Sequence, residues 1–338
     1  MSLERGNGRH ASDGFEPPQV APEVASIAAL AKKVQQSVSR VIVGKQAEIE
    51  LMLVALLCEG HILIEDVPGI GKTTMAKALA RSLGCSFHRI QFTPDLLPSD
   101  ITGTSIYNQQ TGQFETRQGP VFSQVVLADE INRAGPRTQS ALLEAMEERQ
   151  VTIDMDTVAL PRPFVVLATQ NPVELEGTFP LPEAQLDRFL IKLKLGYPSE
   201  EDERAILRRF KEGSPMMDVE PVASANEIMQ GQQAVRKVHV SAAVEGYMVA
   251  LTHATRHHDT IELGASPRAT LALYRTAQAL AAIQGRGFVL PDDVKRMLGP
   301  VLAHRIILST RTRLRGRDNA EILKEVLDSV PVPVESAV

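Results

Sequence analysis

The chain has 338 residues, 43% of them hydrophobic and 23% charged, which is enough apolar material for two packed domains and excludes a disordered protein. A net charge of −5 and a pI of about 6.0 give no overall basic field of the kind that draws a protein to nucleic acid. Cys58 and Cys85 are too few for a disulfide framework or a cysteine metal site, and they suit the reducing cytoplasm.

Residues 1 to about 22 combine Gly6, Gly8, Gly14, Pro17, Pro18 and Pro22 with polar residues and read as a flexible tail. They contain no signal-type apolar core, and no later run is long enough to span a bilayer. From Pro22 onward, Val24, Ile27, Ala28, Leu30, Ala31 and Val34 recur at helical spacing, and Gln46 to Cys58 reads as a second helix. Between them, Val43 and Gly44 make a flat apolar step that could hold a purine ring. The plainer alternative is a helix-entry loop.

Ile62-Leu63-Ile64 predicts a strand, and Met75 to Arg81 predicts a helix from its small and unbranched residues. The stretch joining them, Asp66-Val67-Pro68-Gly69-Ile70-Gly71-Lys72-Thr73-Thr74, has the form and context of a phosphate-binding loop. Its backbone N–H groups and the helix start can converge on an anion. Lys72 adds a charge at the outer phosphates, and the Thr73 hydroxyl is placed to ligate Mg²⁺. Asp66 stands where the pattern G-x-x-x-x-G-K-[ST] has its first glycine. Aspartate tolerates the left-handed backbone, so the turn can still form, but its carboxylate must point away from phosphate.

Phe87 to Phe92 reads as a strand, and Gln110-Thr111-Gly112 marks a hairpin turn within Ser99 to Phe122. The run Val125-Val126-Leu127-Ala128 predicts a strand covered on both faces, as in a parallel sheet. It ends in Asp129 and Glu130, which after a glycine loop suit a water-mediated Mg²⁺ ligand and a group that polarises the attacking water. Arg137 to Arg149 follows as a helix, and Val151 to Leu160 as a second hairpin that carries Asp154 and Asp156 but no Lys or Arg. Phe164 to Thr169 is another buried strand. Asn171 at its tip suits either a γ-phosphate contact or a turn before Pro172. Arg188, before the strand Leu190 to Leu195, is either a salt-bridge former or a side chain facing a neighbouring subunit's phosphates.

Beyond Gly196-Tyr197-Pro198 the chain becomes helical, over Glu201 to Phe210, Ala242 to Thr255, Pro267 to Gln284 and Asp292 to Ile307, with a loop over Gly213 to Val222. In Ser266-Pro267-Arg268 the arginine works against the helix dipole, a cost that makes sense if it meets an anion. His253, His257 and His258 lack a third clear metal ligand and read as a solvated helix end.

Taken in order, Gly71-Lys72-Thr73, Asp129-Glu130, Asn171, Arg188 and Arg268 resemble the AAA+ ATPases. The stretches Ala128 to Ala134, Gln139 to Glu148 and Glu183 to Phe189 resemble the MoxR family in particular. The resemblance covers about residues 24 to 315. It implies an α/β P-loop NTPase core with a five-stranded parallel sheet and hairpin insertions over residues 23–200, then a small all-α lid over 201–320. Residues 1–22 are left as a tail and 321–338 as a C-terminal segment. It further implies ATP and Mg²⁺ as cofactors, with Lys72 and Thr73 on phosphate and metal, Asp129 on metal and Glu130 on water. Asn171 becomes the γ-phosphate sensor, Arg188 the finger offered to an adjacent subunit, and Arg268 a second sensor acting from the lid. The implied partners are further copies in a hexamer, a von Willebrand factor A domain protein and a client protein complex, with no nucleic acid and no membrane insertion. The alternatives are a nucleic-acid-associated ring motor and a nucleotide-dependent scaffold without turnover.

Overall fold

The computed structural model describes residues 21–154, 156–172, 177–213 and 215–333, so most of the tail expected over residues 1–22 lies outside the described residues. Helix α1 (Pro22–Ser39) begins with proline at its first position, where the missing N–H would be unsatisfied anyway. Helix α2 (Gln46–Leu57) buries Ile49 and every residue from Met52 to Leu57. Beyond Glu50 it is apolar all round because α1 and the sheet cover one side of it and C-terminal helices cover the other.

The next elements build the sheet and its insertions. They are β1 (Ile62–Glu65), α3 (Lys72–Ser82), β2 (Phe87–Gln91), α4 (Pro98–Thr102), the hairpin β3 (Gly103–Asn108) and β4 (Gln113–Gln118), and β5 (Val125–Asp129). Then come α5 (Pro136–Glu148), the hairpin β6 (Gln150–Ile153) and β7 (Asp156–Ala159), β8 (Val165–Gln170), α6 (Glu183–Leu186) and β9 (Ile191–Leu193). Five strands pair in the order β2-β5-β8-β1-β9, all parallel. Successive side chains alternate between two cores. Val125, Leu127, Val165 and Leu167 face α3 and the C-terminal helices, while Val126, Ala128, Val166 and Ala168 face Leu142, Leu143 and Met146 of α5. The double coverage expected from the unbroken apolar runs is therefore what the sheet has.

Helix α7 (Glu200–Glu212) is capped by Ser199, whose hydroxyl accepts from the Asp202 amide. The remaining helices are α8 (Ala225–Val235), α9 (Ala242–Arg256), α10 (Pro267–Ile283), α11 (Pro291–Leu302), α12 (Thr310–Leu314) and α13 (Asn319–Ser329). A short antiparallel pair, β10 (Ile261–Leu263) and β11 (Ile307–Leu308), ties α9 to the segment after α11. Helix α11 therefore stops at Leu302, short of the expected Ile307. The division at residue 321 cuts through α13, which buries Ile322, Leu323 and Val326 against α9 and α11. Between residues 213 and 222, expected as a loop, Pro215–Asp218 forms a 3-10 turn. Helices α8 and α10 pack on α1 and α2 so closely that the lid residues and the sheet's α3 side belong to one continuous apolar core.

At the amino edge of the sheet, His61 is buried between α5 and β8. Its Nε2 lies 3.0 Å from the Met146 carbonyl, and its Nδ1 accepts from the Val166 amide at 3.0 Å. Burial holds its pKa down to about 4. In the unfolded chain the imidazole titrates near ~6.5, so the unfolded state takes up a proton first as pH falls. Stability is thus fully present above pH ~6.5 and declines by about 1.4 kcal/mol per unit toward pH ~4. Thermal melts of the wild type and of His61→Gln between pH 7 and 5 check this. The variant is expected to be less stable at pH 7 but to show a shallower loss with acid, whereas equal slopes would remove His61 as a cause.

Candidate active site

The phosphate loop sits at the carboxyl edge of the sheet, between β1 and α3. Gly69 and Gly71 have φ of +85° and +91°, a backbone that L side chains rarely adopt. A Cβ at either would meet nothing within 4 Å, so backbone conformation selects glycine there and the space above the loop is open. Lys72, 8% exposed, donates to the Asp66 carbonyl at 2.8 Å. Burial lowers its pKa, while Asp129, Asp66 and Glu130 oppose the shift. Thr73 and Thr74 follow in the first turn of α3.

Asp66 does not use the left-handed backbone expected of it; among the loop residues only Gly69 and Gly71 have positive φ. Its carboxylate turns away from the loop, as electrostatics requires. Oδ2 accepts from the Gly196 amide at 2.6 Å, and Oδ1 from the Val67 amide at 3.0 Å. The residue that departs from the motif thereby fastens the loop to the segment leading into α7.

A cavity of about 480 Å³ opens beside the loop, lined by Ile42, Val43, Ile70, Tyr197, Pro198 and Ile206 together with Pro68, Gly69 and Gly71. Its apolar walls suit a purine ring, with the loop's amides at one end for the phosphates. Val43 lines this cavity. Gly44 does not line this cavity: it has φ +72°, and a Cβ on it would stand 2.3 Å from the Asp202 carboxylate, so it makes room for α7. Sequence reasoning missed Tyr197, Pro198 and Ile206, whose contribution depends on α7 folding back over the loop.

The acidic pair is held by its neighbours on both sides. Asp129 Oδ1 accepts from the Thr169 hydroxyl at 2.6 Å, and Oδ2 accepts from Arg89 Nη2 at 2.6 Å and Nε at 3.0 Å. Glu130 has φ 58° and ψ 51°, a left-handed conformation that costs a glutamate about 1–3 kcal/mol and is typical of functional positions. Its amide donates to Thr169 Oγ1 at 2.8 Å, and its Oε2 accepts from Gln91 Nε2 at 2.9 Å and pairs with Arg133 Nη1 at 3.1 Å. Asn171 follows β8 on the same edge, two residues past Thr169. The hydroxyl of Thr73 and the carboxylate of Asp129 are hard oxygen donors that fit Mg²⁺ together with phosphate oxygens.

Arg188 and Arg268 lie at the opposite edge. Arg188 Nε is 3.1 Å from Glu147 Oε2, and Arg268 Nη1 is 3.3 Å from Glu147 Oε1, so the core and the lid each supply one guanidinium to a shared carboxylate. They line a cavity of about 390 Å³ with Gly60, His61 and Leu190, residues that precede β1 and β9. Roughly 13 Å of β1 separates this edge from the phosphate loop of the same chain. The packing of α10 on α1 and α2 thus places Arg268, expected as a second sensor acting from the lid, about one strand length from its own chain's phosphate loop.

Arg305, just beyond α11 and with its side chain 3% exposed, grips the segment that carries Arg188. It donates to Asp187 Oδ1 at 2.6 Å, to the Phe189 carbonyl at 2.6 Å and to the Leu190 carbonyl at 3.0 Å. Around His253, His257 and His258, as elsewhere among the described residues, no group of three or more His, Cys, Asp or Glu side chains could hold a metal.

Comparison with known proteins agrees with the geometry. The family model described as "ATPase family associated with various cellular activities (AAA)" matches residues 61–191, and the AAA lid domain model matches 253–326. YeaC of Bacillus subtilis is 49% identical over 90% of this chain and 95% of its own length. Chaperone MoxR1 of Mycobacterium tuberculosis is 43% identical over 98% of this chain and 90% of its own. A crystal structure of a candidate ATPase from Cytophaga hutchinsonii superposes with a TM-score of 0.86 at 42% identity, covering 92% of this chain and 97% of that one.

Proposed function

This chain belongs to the MoxR family of AAA+ ATPases, and from that premise we propose that it hydrolyses ATP at junctions between copies of itself, in a homo-hexameric ring. The reading is carried by one observation: the phosphate loop and the two arginines occupy opposite edges of the same sheet. Each half is incomplete alone, and a head-to-tail contact joins one chain's loop to the next chain's arginines.

In this reading Lys72 and the loop amides bind the β- and γ-phosphates, and the apolar cavity holds the base. Mg²⁺ would be held by Thr73 and, through water, by Asp129, and would neutralise phosphate charge. Glu130 orients and deprotonates the attacking water, Asn171 contacts the γ-phosphate, and the neighbour's Arg188 and Arg268 stabilise the charge that develops in transfer.

The work done with that energy is chaperone-like remodelling or maturation of client protein complexes, together with a von Willebrand factor A domain partner, in the cytoplasm. The name of the MoxR1 relative supports the chaperone role. So does the β3–β4 hairpin, which exposes Ile106, Tyr107 and Phe114, an apolar surface suited to polypeptide. The tip of the β6–β7 hairpin carries Asp154 and Asp156, an arrangement unsuited to tracking phosphates. No helix of the described residues is long and apolar enough to cross a membrane.

The test is the ATPase rate per chain as a function of protein concentration, with mass measured in parallel. The rate is expected to rise with the hexamer fraction. A rate per chain that stays constant while the protein remains monomeric would overturn the proposal.

A further inference from the structure

Strand β2 forms the outer edge of the sheet, and Arg89 and Gln91, two residues apart, project from one face of it. Gln91 lies directly opposite Asp129 in the strand register. Both side chains reach the acidic pair, and they do so in series. Arg89 places Nη2 and Nε on a single oxygen of Asp129, at 2.6 and 3.0 Å. The same guanidinium donates to Gln91 Oε1, and Gln91 Nε2 donates to Glu130 Oε2 at 2.9 Å. With Thr169 on the other oxygen, the Asp129 carboxylate has both oxygens engaged.

Arg89 and a hydrated metal would claim the same oxygen of Asp129. An oxygen receiving two N–H groups from a guanidinium cannot also receive the water of a hydrated Mg²⁺ along the same approach. The two cations would in addition repel each other across a few ångströms. Their exposures show which partner can yield: the Arg89 side chain is 45% exposed and the Asp129 side chain 11%. Asp129 is fixed by the sheet and by Thr169, whereas Arg89 ends a long stem at the sheet margin.

We propose that Arg89 is a positioning residue that competes with the metal. It holds the Asp129 carboxylate in place, and it would have to surrender that oxygen for Mg²⁺ to be held there. The inference rests on the ATPase reading of this site.

The competition has a definite sign. A side chain that only props Asp129 would, on removal, weaken metal binding; a competitor would, on removal, strengthen it. The probe is Mn²⁺ in place of Mg²⁺, titrated into the full chain with ADP, where no turnover occurs, with free Mn²⁺ read by electron paramagnetic resonance. Arg89→Met is expected to lower the Mn²⁺ dissociation constant about threefold or more, and Arg89→Lys, which keeps the charge, to leave it within about twofold of wild type. Arg89→Gln provides the same reading if the methionine variant does not fold. Unchanged or weaker Mn²⁺ binding in a folded Arg89→Met or Arg89→Gln chain overturns the inference and leaves the ATPase reading standing. A wild-type chain that binds no Mn²⁺ with ADP overturns both.

Discussion

Mixing two inactive variants, Lys72→Ala and Arg188→Ala, is expected to restore ATP turnover that neither shows alone. Lys72→Ala removes the charge that sits inside the phosphate loop, and Arg188→Ala removes the guanidinium at the far edge of the sheet. By analogy with other trans-acting arginines, loss of Arg188 should lower the rate by on the order of 10³-fold while leaving nucleotide affinity nearly unchanged. In a random equal mixture about a quarter of the junctions join an intact loop to an intact arginine, and those junctions should turn over. No recovery at any ratio, with both variants still assembling, would contradict a shared site.

The same design decides how Arg268 acts. In the proposed ring, the carboxylate it shares with Arg188 puts both arginines at the same junction with the next subunit. Arg268→Ala should then be rescued by Lys72→Ala and not by Arg188→Ala, because no junction in the latter mixture receives both guanidiniums. An arginine acting on its own chain's nucleotide gives the reverse pattern.

The second large effect is expected at Glu130. Glu130→Gln keeps the size of the side chain and its reach to Gln91 but removes the basic oxygen. The expected result is a turnover lowered by on the order of 10²–10⁴-fold with ATP still bound. Nucleotide retained on the purified variant should be ATP, and single-turnover measurements should place the loss in the hydrolytic step. Hydrolysis at the wild-type rate would remove Glu130 from its assigned role.

Much of this site was legible in the chain. Lys72, Thr73, Asp129 and Glu130 lie where a strand, a glycine loop and a buried apolar run require them, because all three signals are local in sequence. The location of Arg268 was not. Ser266 and Pro267 announce a helix start, but which end of the sheet that start occupies depends on α10 packing against α1 and α2, contacts between residues more than two hundred positions apart. Arg89 and Gln91 were equally hidden, since a lone arginine on an edge strand carries no signal until the register sets Gln91 across from Asp129. Helix α8 was a different case. Its start, Ser224 with Glu227 three residues on, forms a capping box that a closer reading of the sequence could have found.

The grip of Arg305 on residues 187 to 190 has a mechanical corollary. The lid shares its apolar interior with the sheet and is pinned, through that one buried guanidinium, to the strip of chain bearing Arg188. In the proposed ring each subunit then behaves as a stiff lever: a tilt produced at its own pocket swings the arginines it presents to the following pocket. Sequential firing around the circle would need no separate messenger, because occupancy at one station sets the alignment of the next.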